Sequence, residues 1–319
     1  MIVKKLISAA ALSGLAFPAL ADCFRTEWGV SYLNGETESE YSIPEYTPPT
    51  DLGSPGLPPS PGTGTGTGTT PTPGITVPET SPGFDDTVDY DGFVVSGEVF
   101  LAPVSCDSGP LKEAAFLSQV SSIGGAYGQI EDDGDVETDI LNAFARIVAN
   151  SWVVEGELVR NDIDAEFADS EVDYVRIAGG RYLADATQLL FSYENTDFDI
   201  AEADRYAVDI KHVAQLENGM SYTVDALVGF VQTDTIFGQD DDGFDLALMG
   251  DWYFNNQFSV GAEIEFADRD SVGSLVNYTL NATYFFSERI LVSATYQDFD
   301  DDALSILGDQ FVVEFKYRR

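Results

Sequence analysis

The C-terminal half of the chain alternates apolar and polar residues with a period of two. Over residues 276–286 the even positions are apolar or aromatic, and positions 277 to 283 carry asparagine or threonine at every odd number. Similar alternation recurs over 258–266, 290–297 and 311–318. Because successive side chains of a strand point to opposite faces, the pattern predicts strands with one apolar and one polar face. A helix would spread the asparagines and threonines around its circumference.

Fourteen segments of this kind can be counted. The predicted strands are 24–33, 92–103, 114–131, 138–149, 151–162, 173–183, 187–197, 204–215, 220–233, 243–254, 257–267, 275–286, 289–299 and 307–318. Short turns such as Asn255-Asn256 alternate with longer acidic breaks such as 163–171 and 234–242. Aromatic residues near the short turns, such as Trp152 and Trp252, are typical of a girdle at a membrane surface. We therefore predict an all-β, transmembrane antiparallel up-and-down β-barrel of about 14 strands, with 12 or 16 as alternatives.

The first 21 residues differ in composition from the rest. Two lysines precede an apolar stretch over residues 6–17, and a small-x-small sequence ends at Ala21. This order predicts a secretory signal peptide over residues 1–21, and hence an exported, oxidising environment for the mature chain. A lipoprotein would need a small residue directly before Cys23, where Asp22 stands.

A proline-rich stretch follows the first predicted strand. Eleven of the 14 prolines lie between Pro44 and Pro82, together with a Gly-Thr repeat over 62–68. Such a sequence cannot bury a core, so we predict a disordered Pro/Gly/Thr-rich extracellular loop at about 40–84. Two readings of this loop stay open. It either enters the lumen or reaches a partner, or it is a variable insertion outside the barrel.

The charge balance excludes several functions. With 55 acidic and 15 basic residues the net charge is -40, so nucleic acid is not expected as a partner. One histidine and two cysteines are too few for ordinary zinc or haem attachment sites, and we expect no metal and no cofactor. The acidic run 240–245 departs from calcium-loop spacing, because Asp251 stands where a glutamate is needed. His212 lies on the apolar face of its predicted strand, so we expect no enzyme.

The last predicted strand carries Phe311-x-Val313-x-Phe315-x-Tyr317, similar to the C-terminal signal read by the barrel-assembly machinery, although the chain ends on Arg319. With the signal peptide and the two classes of connection, the mature chain, 22–319, resembles a Gram-negative outer-membrane porin of the small, roughly 14-stranded kind. The resemblance implies an outer-membrane location among lipid and lipopolysaccharide, insertion by that machinery, and passive diffusion of small hydrophilic solutes. A non-conducting structural or adhesive barrel and a secreted β-sandwich are the alternatives. The oligomeric state stays open.

If the apolar strand faces meet lipid, the opposite faces line the lumen. The predicted pore-lining acids are Glu98, Glu155, Glu157, Glu194, Asp209, Asp225, Asp245, Asp251, Glu263, Glu265 and Glu314, and the bases are Arg146, Arg176, Lys211 and Lys316. The excess of acids predicts a negative potential and mild cation selectivity. Alternatively, many of these side chains pair with one another and only hydrate the wall.

Cys23 opens the first predicted strand, and Cys106 follows the second. On the predicted topology both lie at the periplasmic end of neighbouring strands, so we predict a disulfide between them. The bond would close a loop that contains the whole proline-rich stretch. Two free thiols are the alternative.

Overall fold

The structure is a computed structural model that describes residues 23–41, 84–107, 109–132, 136–165, 168–198, 201–235, 240–269, 273–301 and 306–319. Over these residues the chain forms fourteen strands. They are β1 Phe24–Tyr41, β2 Phe84–Val104, β3 Ser122–Asp132, β4 Glu137–Ala149, β5 Trp152–Ala165, β6 Ala168–Ala184, β7 Thr187–Phe198, β8 Ala201–Gln215, β9 Ser221–Thr235, β10 Asp240–Asn255, β11 Phe258–Arg269, β12 Gly273–Ser287, β13 Ile290–Asp301 and β14 Ile306–Arg318.

Each strand pairs antiparallel with the next along the chain, and β1 also pairs with β14, so that the sheet closes into a barrel. The predicted fold class and the count of 14 strands are confirmed. Closure satisfies the backbone groups of both terminal strands, which is the condition for crossing hydrocarbon as a sheet. At the seam, the backbone N–H and C=O of Thr26 exchange hydrogen bonds of 2.8 Å with Arg319.

The connection between β2 and β3 departs from the prediction. A single turn of 3-10 helix, Leu111–Glu113, leads into a short α-helix, α1 (Ala114–Leu117), and β3 begins only at Ser122. The predicted strand over 114–131 is therefore wrong in its first eight residues. One helical turn has little stability of its own, so contacts with distant strands and not a local period fix this segment. Among the described residues, no helix has the length and apolar character needed to cross a membrane.

The two ends of the barrel differ in their connections. At one end, which we call the short-turn end, β4 and β5 are joined by Asn150 and Ser151, whose φ angles of 50° and 67° suit a tight hairpin turn. At the opposite end the strands extend into the predicted acidic breaks, and most of 163–171 belongs to β5 and β6. The expected long loop between β5 and β6 is therefore wrong, because the two strands stay paired as far as Ala165 and Ala168. The predicted signal peptide, and the predicted loop apart from its two ends, lie outside the described residues.

The outer surface of the barrel is apolar. Leu158 on β5 and Leu280 on β12 are 56% and 58% exposed, and comparable side chains recur at alternate positions around the wall. Trp152 and Trp252 are exposed beside short turns. A continuous exposed apolar band is unfavourable in water but matches the face that a β-barrel presents to lipid.

Candidate functional site: the charged lumen and its plug

A disulfide joins the two cysteines at the short-turn end. Cys23 and Cys106, the pair expected from the sequence, are bonded with their Cα atoms 5.5 Å apart. The bond ties the start of β1 to the chain just beyond β2. It therefore anchors the segment that follows Cys106, at the point where this segment leaves the wall.

Residues 109–121, which we call the plug, fold into the barrel at the short-turn end. Their apolar side chains belong to three clusters on different parts of the inner wall. Leu111 clusters with Phe285 and Leu291, Ala114 with Phe24 and Phe100, and Phe116 with Val153, Tyr182, Leu190 and Val213. The wall residues of the three clusters belong to β12 and β13, to β1 and β2, and to β5 through β8, respectively. Because these groups of strands lie on different sides of the barrel, the plug reaches across its cross-section.

Two neighbouring charges on the plug pair with the wall. The Lys112 Nζ lies 2.7 Å from a carboxylate oxygen of Asp251 on β10. The Glu113 carboxylate lies 2.9 Å from the Lys211 Nζ on β8 and accepts a 2.8 Å hydrogen bond from the Tyr253 hydroxyl. Burial alone would raise the pKa of the Glu113 carboxyl, but Lys211, Tyr253 and Lys112 hold that pKa below its ordinary value. The buried carboxylate is thus kept ionised.

Hydrogen bonds to the wall fix the backbone of the plug. The Arg318 guanidinium on β14 donates to the Leu111 carbonyl at 2.7 Å, and the Leu111 N–H donates to the Asn256 carbonyl at 3.1 Å. On the other side, the Tyr182 hydroxyl donates to the Phe116 carbonyl at 2.9 Å. These bonds satisfy backbone groups that a helix of one turn leaves open.

Away from the plug, alternating charges form a continuous series of ion pairs along the inner wall, which we call the charge ladder. Its members are Arg146 on β4, Glu155 on β5, Arg176 on β6, Glu194 on β7, Arg205 on β8 and Asp245 on β10. The nitrogen–oxygen distances include 3.1 Å between Arg176 and Glu155 and 3.0 Å between Arg205 and Glu194. Every step joins a base to an acid, so these six charges neutralise one another.

The remaining predicted lining residues fall into two groups. Lys316 pairs with Glu314 at 3.2 Å and with Glu27 at 3.4 Å, while Glu98 lies beside Ser122. The carboxylates of the second group carry no ion pair in the part of the chain that the structure describes. They are Glu157, Asp209, Asp225, Glu263 and Glu265. Of these, Glu157 accepts a hydrogen bond from Asn142, and Glu265 accepts one from Asn277.

Five charged residues of the site were not predicted from the sequence. Arg205 lies on the same strand face as Asp209 and Lys211. Arg318 and Glu27 also lie on the polar faces of their strands. The alternation of apolar and polar residues could therefore have identified these three. Lys112 and Glu113 lie in the plug, where the predicted elements gave no such signal. Their partners are more than 90 positions away in the sequence, beyond the reach of any local pattern.

His212 faces the outside of the barrel, with its Nδ1 2.8 Å from the Thr187 hydroxyl and its ring 6.3 Å from that of Tyr222. It therefore lies away from the charged lumen. Within the described ranges, no group of three or more histidine, cysteine, aspartate or glutamate side chains is arranged to hold a metal ion.

A closed antiparallel barrel with an apolar exterior and a charged interior is the architecture of transmembrane β-barrel proteins. The porin-like barrel expected from the sequence is confirmed for the fold. In fold the chain is similar to the Acinetobacter baumannii outer membrane protein Omp33, at 16% identity and a TM-score of 0.49, over 93% of this chain and 98% of that chain. It is also similar to the KdgM porin, at 12% identity and a TM-score of 0.40, over 58% of this chain and 94% of that chain.

A Pseudomonas aeruginosa FadL homologue matches at 11% identity and a TM-score of 0.44, over 92% of this chain and 90% of that chain. No model of a protein family matches the sequence. No curated protein matches it either.

Proposed function

We propose that the protein is an outer-membrane porin of a Gram-negative bacterium, a passive diffusion channel for small hydrophilic solutes with a mild preference for cations. The apolar exterior supports a place in lipid, and the difference between the two ends supports an orientation with the short turns in the periplasm. In this proposal residues 1–21 are removed on export, and the loop at about 40–84 lies on the extracellular side. The function is transport and involves no catalysis or cofactor.

The observation that carries this proposal is the uneven compensation of charge inside the barrel. The charge ladder is neutral, whereas Asp209, Asp225 and Glu263 carry no ion pair in the described part of the wall. Carboxylates that line the lumen without a base paired to them create a negative potential, which raises the local concentration of cations. Selectivity in this proposal comes from these side chains on β8, β9 and β11.

Planar-bilayer recording of the refolded mature chain under a salt gradient tests the proposal. We expect discrete openings with a cation-directed reversal potential. One charge about 8 Å from the path contributes roughly 0.5 kcal/mol in water, so Asp225→Asn with Glu263→Gln should lower the cation-to-anion permeability ratio about twofold or more. Glu217→Gln, in the exposed β8–β9 turn, is the matched control. An anion-directed potential would refute the preference for cations.

A second function is favoured by the plug. Because the plug contacts opposite sides of the wall, the barrel could serve as a non-conducting structural or adhesive element. A variant with residues 109–119 replaced by a short Gly-Ser linker separates the two functions. Silence of both the wild type and this variant, each shown to be folded by heat-modifiable gel mobility, would reject the porin and support the structural barrel.

A further inference from the structure

The plug is held by two kinds of contact that respond differently to water. Leu111 and Phe116 are buried against the wall, where an apolar contact favours permanent closure. Between them, Lys112 and Glu113 pair with charges of opposite sign on β10 and β8. These two strands flank β9, so both ion pairs attach the plug to a single part of the wall. We call the two pairs the latch.

The latch is an inefficient way to build a permanent closure. The side chains of Glu113 and Asp251 are 4% and 3% exposed, so forming the pairs removes charges from water. A well-packed apolar contact of the same size generally holds at least as firmly as a buried ion pair, because it carries no such desolvation cost. When the plug withdraws, Lys211 and Asp251 would face lumen water, which solvates them again. The latch therefore favours closure while keeping the open state accessible.

The ends of the plug limit how far it can move. The disulfide between Cys23 and Cys106 ties the chain to β1 just before the plug, and Ser122 begins β3 just after it. A segment fixed at both ends can leave its seat without leaving the barrel. This arrangement suits a movement between two positions, as in other proteins that switch a short segment between packed and released states.

We propose that the plug is a gate at the short-turn end of the pore, and that the ion pairs Lys112–Asp251 and Glu113–Lys211 set the fraction of time for which it is closed. The inference rests on the porin function proposed above. It assigns to these four residues the control of opening, separate from the selectivity of the wall. Salt in the lumen stabilises the separated charges of the open state more than the buried Lys112–Asp251 pair of the closed state, so the open fraction should rise with salt.

A charge-reversal cycle on the mature full-length chain in planar bilayers tests the gate. Lys112→Glu and Asp251→Lys each break one ion pair, and the double variant restores it with opposite polarity. We expect each single variant to raise the open fraction roughly tenfold, a value between those of exposed and fully buried pairs. The double variant should return close to the wild type. Glu288→Lys, in the β12–β13 turn, makes the same charge change as Asp251→Lys and serves as its control.

The outcomes separate the gate from the porin. If the variant without residues 109–119 conducts but the single variants match the wild type, or if the double variant fails to restore closure, the gate is wrong and the porin stands. If the wild type and the variant without residues 109–119 are both folded and silent, the porin itself is wrong. Heat-modifiable mobility of every variant shows whether its barrel has formed.

Discussion

The Nε of Arg205 on β8 lies 2.9 Å from a carboxylate oxygen of Asp245 on β10, across the strand between them. At this level β9 presents Gly229, which is paired with Ala207 on one side and Asp245 on the other. A Cβ atom at position 229 would lie 3.0 Å from the Arg205 Nε. Because Gly229 has no side chain, Arg205 has room to reach across β9 and pair with Asp245.

Gly229→Ala should therefore displace Arg205 and weaken its pair with Asp245. We expect a loss of about 1 kcal/mol in the free energy of unfolding, together with a shift of the reversal potential towards cations, because Arg205 then compensates the charge of Asp245 less well. Urea unfolding in lipid vesicles and bilayer recording measure the two effects. Gly179→Ala is the control, since no atom lies within 4 Å of its added Cβ. Equal behaviour of the two variants would contradict the role of Gly229.

Acid should loosen the plug through Glu113. The pKa of this carboxyl is lower in the closed plug than in water, so its contribution to closure is complete above the ordinary glutamate pKa of about 4.3. The contribution is lost as the pH falls through the lower value of the closed state. We expect hydrogen exchange of the plug amides to accelerate below about pH 4, relative to Glu113→Gln at the same pH. An acceleration of equal size in both proteins would show that another group is responsible.

Removing the disulfide should destabilise the barrel. Cys23→Ser with Cys106→Ser releases two positions that are 83 apart in the sequence. For a loop of this length the chain-entropy model predicts a loss of about 4.5 kcal/mol in the free energy of unfolding. Urea titration of the oxidised wild type, the reduced wild type and the variant measures the effect. Reduction and substitution should agree. An unchanged unfolding midpoint would mean that the unfolded chain gains little freedom when the bond is lost.

The side of the wall that faces lipid can be tested by one pair of neighbours. Leu280 lies near the middle of β12 and is 58% exposed, so Leu280→Lys should cost about 2–4 kcal/mol in lipid. Thr279→Lys points into the lumen, where water solvates the charge, and should cost clearly less. Unfolding of both variants from vesicles gives the comparison. A larger cost at position 279 would reverse the assignment of the two faces.

The strands were predictable because the two faces of each meet different surroundings. The alternation over 275–286 predicted a strand, and the observed strand, Gly273–Ser287, is only three residues longer. Alternation of the same kind in β5, β6 and β7 predicted that Glu155, Arg176 and Glu194 all face the lumen. It could not show which of them pair, because pairing depends on the stagger between strands, and a single strand carries no record of that stagger.

The plug was missed for a related reason. Ala114 and Phe116 continue an apolar alternation towards β3, so the segment 114–121 is easily interpreted as the start of that strand. Its true conformation is selected by Arg318, Tyr182 and Lys211, which come from three other strands. A segment whose structure depends on such distant groups has no signature of its own in a sequence.

The hydrogen bond from Arg318 to the Leu111 carbonyl also constrains the order of assembly. Arg318 belongs to β14, and its position depends on the pairing of β14 with β1, which closes the sheet. Until that pairing forms, one side of the plug's seat does not exist. The hydrogen bond from Arg318 to Leu111 can therefore form only after the sheet has closed, so this contact distinguishes a completed barrel from an open one.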